Sequence, residues 1–320
     1  MGEVILPKVK VLVTGAAGFI GSHLCERLLE AGCQVIGIDY MKEPNAWSKR
    51  RNVSTAAAHP DYYLIEDDLL RIDLKPILDG VQYIIHLAAT PGVRTSWGSN
   101  FSDYLDNNIL ATQRLLEAAK DTIIKKFVMA STSSVYGHFN GPANEDRKCK
   151  PLSPYGATKL AAEHLARIYH KEFGVPVVIL RFFTVYGPRQ RPDMAFHKFI
   201  RNLLTGKKII VYGDGGQSRD FTYVSDVVEA IVNSMYYSRS GEIFNIGGNT
   251  RASVNNVLKI LEESTSKKAR VEYLAAQPGE PRETWADIQA AREKISYSPQ
   301  IVLRDGLAKE IEFIKDLYHI

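Results

Sequence analysis

The stretch TGAAGFIG, Thr14 to Gly21, sets Gly15, Gly18 and Gly21 at three-residue intervals between two apolar segments of different period. Upstream, Lys8 to Val13 reads as a buried strand; downstream, Leu24, Leu28 and Leu29 recur at helical spacing until Gly32 closes the helix. Glycines at such a strand-to-helix turn remove side chains that would hold the backbone away from a pyrophosphate resting on the helix N-terminus. The pattern alone is weak, but a second strand, QVIGID, follows and ends in Asp39, 18 residues beyond Gly21. A carboxylate there accepts both ribose hydroxyls of an adenosine and repels a 2′-phosphate, so NAD is expected rather than NADP. Lys49, Arg50 and Arg51 argue the reverse, but they lie ten residues downstream of Asp39, past the usual contact point.

Further strands are expected at Tyr62–Ile65, Tyr83–His86, Lys126–Ala130 and Val177–Arg181, alternating with helical segments. That alternation predicts an α/β fold, a doubly wound parallel sheet of the Rossmann type. YYLIEDDLL offers Asp68 to an adenine amino group, and VQYIIHLAAT places the small residues Ala88 and Ala89 where backbone passes under a cofactor. His86, alone in a strand, reads as a satisfied core residue. From Thr184 onward the composition becomes loop-rich, with short helices between the loops. GEIFNIGG, 241–248, reads as a strand returning to the main sheet, so the expected division is 1–183 with about 222–248, against 184–221 with about 249–320.

With 320 residues, 45% hydrophobic and 24% charged, the composition is that of a globular protein and excludes disorder and fibres. No apolar run approaches the roughly 20 residues that span a bilayer, and MGEVILPKVK lacks a signal-peptide pattern, so a cytoplasmic location and no membrane partner are expected. Net charge is a mild +4 with short basic clusters and no aromatic-interleaved stripe, which argues against nucleic acid. Cys25, Cys33 and Cys149 show neither a disulfide framework nor metal-ligand spacing.

SPYGATK, 153–159, puts Tyr155 and Lys159 one helical turn apart. On a bare surface such a pair is worth only a few tenths of a kcal/mol. Taken in order with TGAAGFIG, HLAA, NNILAT, SSVYG and RFFTVYGPRQRPDMA, it resembles the extended short-chain dehydrogenase/reductases, specifically the NDP-sugar epimerase, dehydratase and decarboxylase group. PGVRTSW, 91–97, with RQRPDMAFHKFI is most similar to the bacterial UDP-glucuronic acid 4-epimerases. The resemblance implies that Gly15, Gly18, Phe19, Ile20, Gly21, Asp39, Asp68, Leu69, Leu87, Ala88, Ala89 and Asn108 line NAD. It implies that Tyr155 is the base at the sugar C4 hydroxyl, helped by Lys159, which also holds the nicotinamide ribose. A neighbouring ammonium and the nicotinamide cation both favour phenolate, which lies near pKa ~10 when free.

In related dehydratases an Asp-Glu pair follows the threonine of STSSVYG, and related decarboxylases place a Glu there; this chain has Ser133 and Ser134 after Thr132. Hydroxyls of ordinary acidity are poor acid/base groups at neutral pH, which leaves redox chemistry at C4 and an isomerase outcome. Thr132, Ser133, Ser134 and Thr184 both donate and accept, as a pocket must that holds a sugar in two orientations. A 4-keto uronate is a β-keto acid prone to lose CO2, so its carboxylate must be held; Arg191 is the expected clamp and Arg189 its competitor. The resemblance implies that the loop-rich part from Thr184 is a smaller C-terminal substrate-binding domain holding UDP, with Tyr212 by position against uracil, Arg219 at the diphosphate and Glu280 at the uridine ribose. Gln277 stands where some relatives carry a phosphate-binding arginine, so either Arg282 substitutes or the grip is looser. Relatives pair helices like Tyr104–Lys120 and Gly156–Phe173 into a homodimer. The alternatives are an epimerase of a neutral UDP-hexose or UDP-N-acetylhexosamine, a decarboxylase or dehydratase, or a non-catalytic NAD sensor.

Overall fold

The computed structural model describes residues 8–41 and 46–320, so most of the MGEVILPKVK stretch lies outside the described residues. Strands β1 (Lys10–Thr14), β2 (Gln34–Asp39), β3 (Tyr62–Glu66), β4 (Tyr83–His86), β5 (Lys126–Thr132), β6 (Val177–Phe182) and β7 (Ile243–Ile246) form one sheet in the order β7-β6-β5-β4-β1-β2-β3. Every neighbouring pair in it is parallel. The order reverses at β1, and the C-terminal ends of β1 and β4 open the crevice where such sheets bind ligands.

Alternation along the strands explains why both faces are covered. On β1, Val11 and Val13 pack into one core while Leu12 packs into the other. Leu24 and Leu28 of α1 (Phe19–Glu30) cover the first face; Leu115 and Leu116 of the Ala111–Ala119 helix and Ala162 and Ala166 of the Pro154–Phe173 helix cover the second. These side chains are at most 1% exposed, and each such Leu contributes about 1.5–3 kcal/mol of burial.

The substrate-side segments build three two-stranded pairs: Val185–Tyr186 with Thr222–Tyr223, Ser218–Asp220 with Arg251–Ser253, and Ile209–Tyr212 with Val271–Leu274. The segment expected as one helix from Tyr104 is instead α-helical over Phe101–Tyr104, π-helical over Leu105–Leu110 and α-helical again over Ala111–Ala119. The π turn carries Asn108, fully buried. Its amide donates to Thr90 O (3.1 Å) and Thr158 Oγ1 (3.1 Å) and accepts from Thr90 N–H (2.7 Å), tying the loop after β4 to the Pro154–Phe173 helix. Wider turns of this kind recur at functional sites. No helix among the described residues is long and apolar enough to cross a membrane.

Candidate active site

The glycine turn is shaped by close approach. Gly15 has φ +72°, and a Cβ there would stand 2.8 Å from Ala88 N; a Cβ on Gly21 would overlap the Gly15 carbonyl. Gly15 and Ala16 both donate to Ile38 O, at 2.8 and 3.3 Å, which locks the turn onto β2. Gly18 caps α1 with no side-chain hydrogen bond, leaving the first-turn amides of the helix without a side-chain acceptor. A cradle that side chains would fill, under a helix N-terminus, fits a pyrophosphate.

Asp39 ends β2 and is buried, its Oδ2 accepting from Ala17 N–H at 2.9 Å. Lys49 does not lie past the contact point as expected: the Ala46–Asn52 helix folds back and brings its Nζ within 2.6 Å of Asp39 Oδ1 and 2.8 Å of Tyr40 O. Arg50 and Arg51 turn away, to Glu66 and Asp316. Asp68 begins a turn after β3, where Oδ1 accepts from Leu70 N–H at 2.9 Å and Leu69 O accepts from Arg114. Leu87 and Ala88 hang from Thr14 through 3.1 and 3.2 Å hydrogen bonds, with Ala89 next to them. His86 is a satisfied core residue: its nitrogens meet Thr14 Oγ1 (2.8 Å) and Thr112 Oγ1 (3.0 Å), and burial lowers its pKa to about 3.

Tyr155 sits in the first turn of the Pro154–Phe173 helix, started by Pro154 and by Ser153, whose Oγ accepts from Gly156 N–H at 3.1 Å. The glycine after it matters, because a Cβ on Gly156 would lie 2.6 Å from Ser134 O. Its absence lets the helix settle on the Ser133–Val135 turn that follows β5. Thr132 Oγ1 lies 3.2 Å from both the backbone N and the Oγ of Ser134, and hydrogen-bonds Tyr155. Tyr104 packs edge-on to the Tyr155 ring at 6.2 Å, and its own hydroxyl bonds Thr95 and Gly92 O.

Burial raises the Tyr155 phenol above its ordinary value; the Thr132 hydrogen bond and the Arg191 charge work against that. Sequence reasoning gave that task to Lys159, whose ammonium lies fully buried and drops to about 8 for want of solvation, with Glu163 opposing the drop. Glu163 is gripped by Arg181 through Nε (3.0 Å) and Nη2 (2.7 Å) and accepts from Ser131, so the floor beneath Lys159 is an ion pair.

Of the two candidate clamps, Arg189 faces Glu26 on α1 at 2.8 Å, whereas Arg191 acts on Tyr155 and Tyr104. Thr184 lies between β6 and the Val185–Tyr186 strand, its carbonyl accepting from Thr222 N–H. Farther out, Arg219 reaches Glu280 at 3.5 Å and Tyr212 ends its strand nearby. Arg282 accepts from Arg219 through its carbonyl at 3.2 Å, while its exposed guanidinium pairs with Asp214 at 2.8 Å.

A family model described as the NAD dependent epimerase/dehydratase family matches residues 11–247, from the glycine turn through β7. The chain belongs to that family. Among curated members of this epimerase/dehydratase family, an uncharacterized UDP-glucose epimerase of Bacillus subtilis is 50% identical, over 97% of this chain and 99% of that protein. A UDP-glucuronate 4-epimerase of Thermodesulfobacterium geofontis is 39% identical over 95% and 96%. The crystal structure of UDP-glucuronic acid 4-epimerase from Bacillus cereus with UDP-glucuronic acid and NAD superposes with a TM-score of 0.95 at 48% identity, covering 97% of this chain and 100% of that one.

One residue of this family site escaped sequence reasoning. Arg94 lies 4.3 Å above the Tyr212 ring and donates to Glu280 at 2.7 Å, so it joins the two residues expected at the uridine. PGVRTSW was the available signal, but nothing local in it points across 186 residues to Glu280.

Proposed function

We propose that this protein is a UDP-glucuronate 4-epimerase, interconverting UDP-glucuronate and UDP-galacturonate through a transient 4-keto sugar. The observation that carries the reading is the surroundings of the Tyr155 hydroxyl: a threonine hydroxyl and an arginine charge, with serines at 133 and 134 where lyases of this fold place carboxylates. NAD, when bound, supplies removal of the C4 hydride and its return.

Tyr155 takes the C4 hydroxyl proton and gives it back, with Thr132 sharing its hydrogen bond. Lys159 holds the nicotinamide ribose, and Asp39 holds the adenosine ribose beside Lys49. Gly15, Gly18, Phe19, Ile20 and Gly21 cradle the pyrophosphate, while Asp68, Leu69, Leu87, Ala88, Ala89 and Asn108 wall the rest. Ser133, Ser134 and Thr184 offer paired donors and acceptors to either orientation of the sugar. Arg191 holds the uronate carboxylate. Tyr212 stacks on uracil, Glu280 accepts the uridine ribose beside Arg94, and Arg219 meets the diphosphate. The chain divides into an NAD-binding part, 1–183 with about 222–248, and a sugar-nucleotide part, 184–221 with about 249–320.

Purified protein given UDP-glucuronate without added NAD should form UDP-galacturonate; CO2 and a UDP-pentose as main products would overturn the epimerase reading. UDP-glucose, offered in the same assay, should turn over far more slowly. The protein is read as a cytoplasmic homodimer. Exposed Leu105, Leu110, Ile168 and Phe173 give the π turn and the Tyr155 helix an uncovered apolar surface. Sedimentation should show twice the chain mass; a monomer at micromolar concentration would remove the dimer.

A further inference from the structure

Arg191, Pro192, Asp193 and Met194 form a turn closed by Met194 N–H donating to Arg191 O at 3.0 Å, with proline at its second position. The turn bends Asp193 back onto Arg191: Nε meets Oδ1 and Nη2 meets Oδ2, each at 2.9 Å. That is the two-pronged edge a substrate carboxylate would need. We propose that Asp193 is a built-in rival for this edge, displaced by the uronate on binding, and that it sets how strongly the site prefers a uronate over a neutral sugar. The inference rests on the reading of Arg191 as the carboxylate clamp.

Exposure separates this pair from the site's other arginine fork. Arg181 and Glu163 are 5% and 2% exposed, a fixed pair whose rupture would strand buried charge. Arg191 and Asp193 are 37% and 60% exposed, so either partner is resolvated when they part. Burial works to raise the Asp193 carboxyl, yet the Arg191 fork, aided by Lys198, holds it below its ordinary range. It is therefore an anion at neutral pH and a true competitor. Lys198, in the Ala195–Leu204 helix that follows, is a second cation for the freed carboxylate. A neutral sugar has nothing to offer in exchange and leaves the fork closed.

The test is the Kd of UDP-glucuronate and of UDP-glucose for the NAD-loaded enzyme, by calorimetry, in the parent protein and in Asp193→Asn and Asp193→Ala. Freeing an exposed fork should tighten uronate binding relative to UDP-glucose by about two- to fivefold. A ratio that stays put or falls would overturn the proposal, showing Asp193 to be a brace. Arg191→Ala separates the two ideas. If it leaves the ratio of the parent protein unchanged, the clamp reading itself fails; if it collapses the ratio while the Asp193 variants do nothing, only the exchange fails.

Discussion

Tyr155→Phe should keep the fold and bound NAD yet lose about 10²–10⁴-fold in kcat, the span that a positioned proton-transfer group supplies. The ring stays packed edge-on against Tyr104 and only the hydroxyl hydrogen-bonded to Thr132 is lost. Steady-state kinetics with the cofactor content measured in parallel reads the effect. A rate within tenfold of the parent would show that the phenol is not the base. The protein alone does not deliver a phenolate at neutral pH, because burial raises this group and the Thr132 and Arg191 contributions offset it only in part. The two neighbours also run in opposite directions with pH: Tyr155 gains its base form as pH rises, while Lys159 loses its positive charge above about 8. Turnover should therefore depend on charge from the bound cofactor more than on the lysine.

Arg191→Ala is the second large effect. Loss of a charge-assisted, two-pronged contact to a carboxylate costs about 1.5–3 kcal/mol, which is roughly ten- to hundredfold in KM for UDP-glucuronate. The product distribution should change as well. A 4-keto uronate whose carboxylate is no longer held can rotate its C–CO2 bond into line with the ketone and lose CO2, so a UDP-pentose should accumulate. Chromatography of the nucleotide sugars detects it. Unchanged KM with clean epimerisation would remove Arg191 from the carboxylate, and Arg189, already held by Glu26, would not be its replacement.

Features that depend on neighbours in sequence were legible before any coordinates. Strands β2 and β4 fall where QVIGID and YIIH place them, because a strand buried on both faces reads as a continuous apolar run. The glycine turn and the Ser153–Pro154 helix start are likewise local chemistry. Pairings across long separations were not legible. Lys49 was set aside on spacing alone, yet a helix folds it back onto Asp39; Arg94 and Glu280 meet from opposite halves of the chain. The π turn at Leu105–Leu110 was invisible because its sequence, LDNNIL, is compatible with an ordinary helix, and the buried anchor of Asn108 is tertiary. Arg191 and Asp193 are only two residues apart, but which carboxylate a surface arginine chooses is decided by the turn around Pro192.

The seventh strand has a consequence for how the protein is made. β7 comes after the substrate-side strands at Val185–Tyr186, Ile209–Tyr212, Ser218–Asp220 and Thr222–Tyr223 but lies beside β6 in the sheet, with Ile243 opposite Ile179 and Ile246 opposite Phe182. A nascent chain leaving the ribosome therefore holds an open, apolar edge on β6 until residue 246 has emerged, some 64 residues of synthesis later (246 − 182). During that interval the half-built enzyme offers a sticky strand to chaperones and to its own neighbours. A stop codon between the two strands would leave an aggregating fragment, not a free-standing cofactor module.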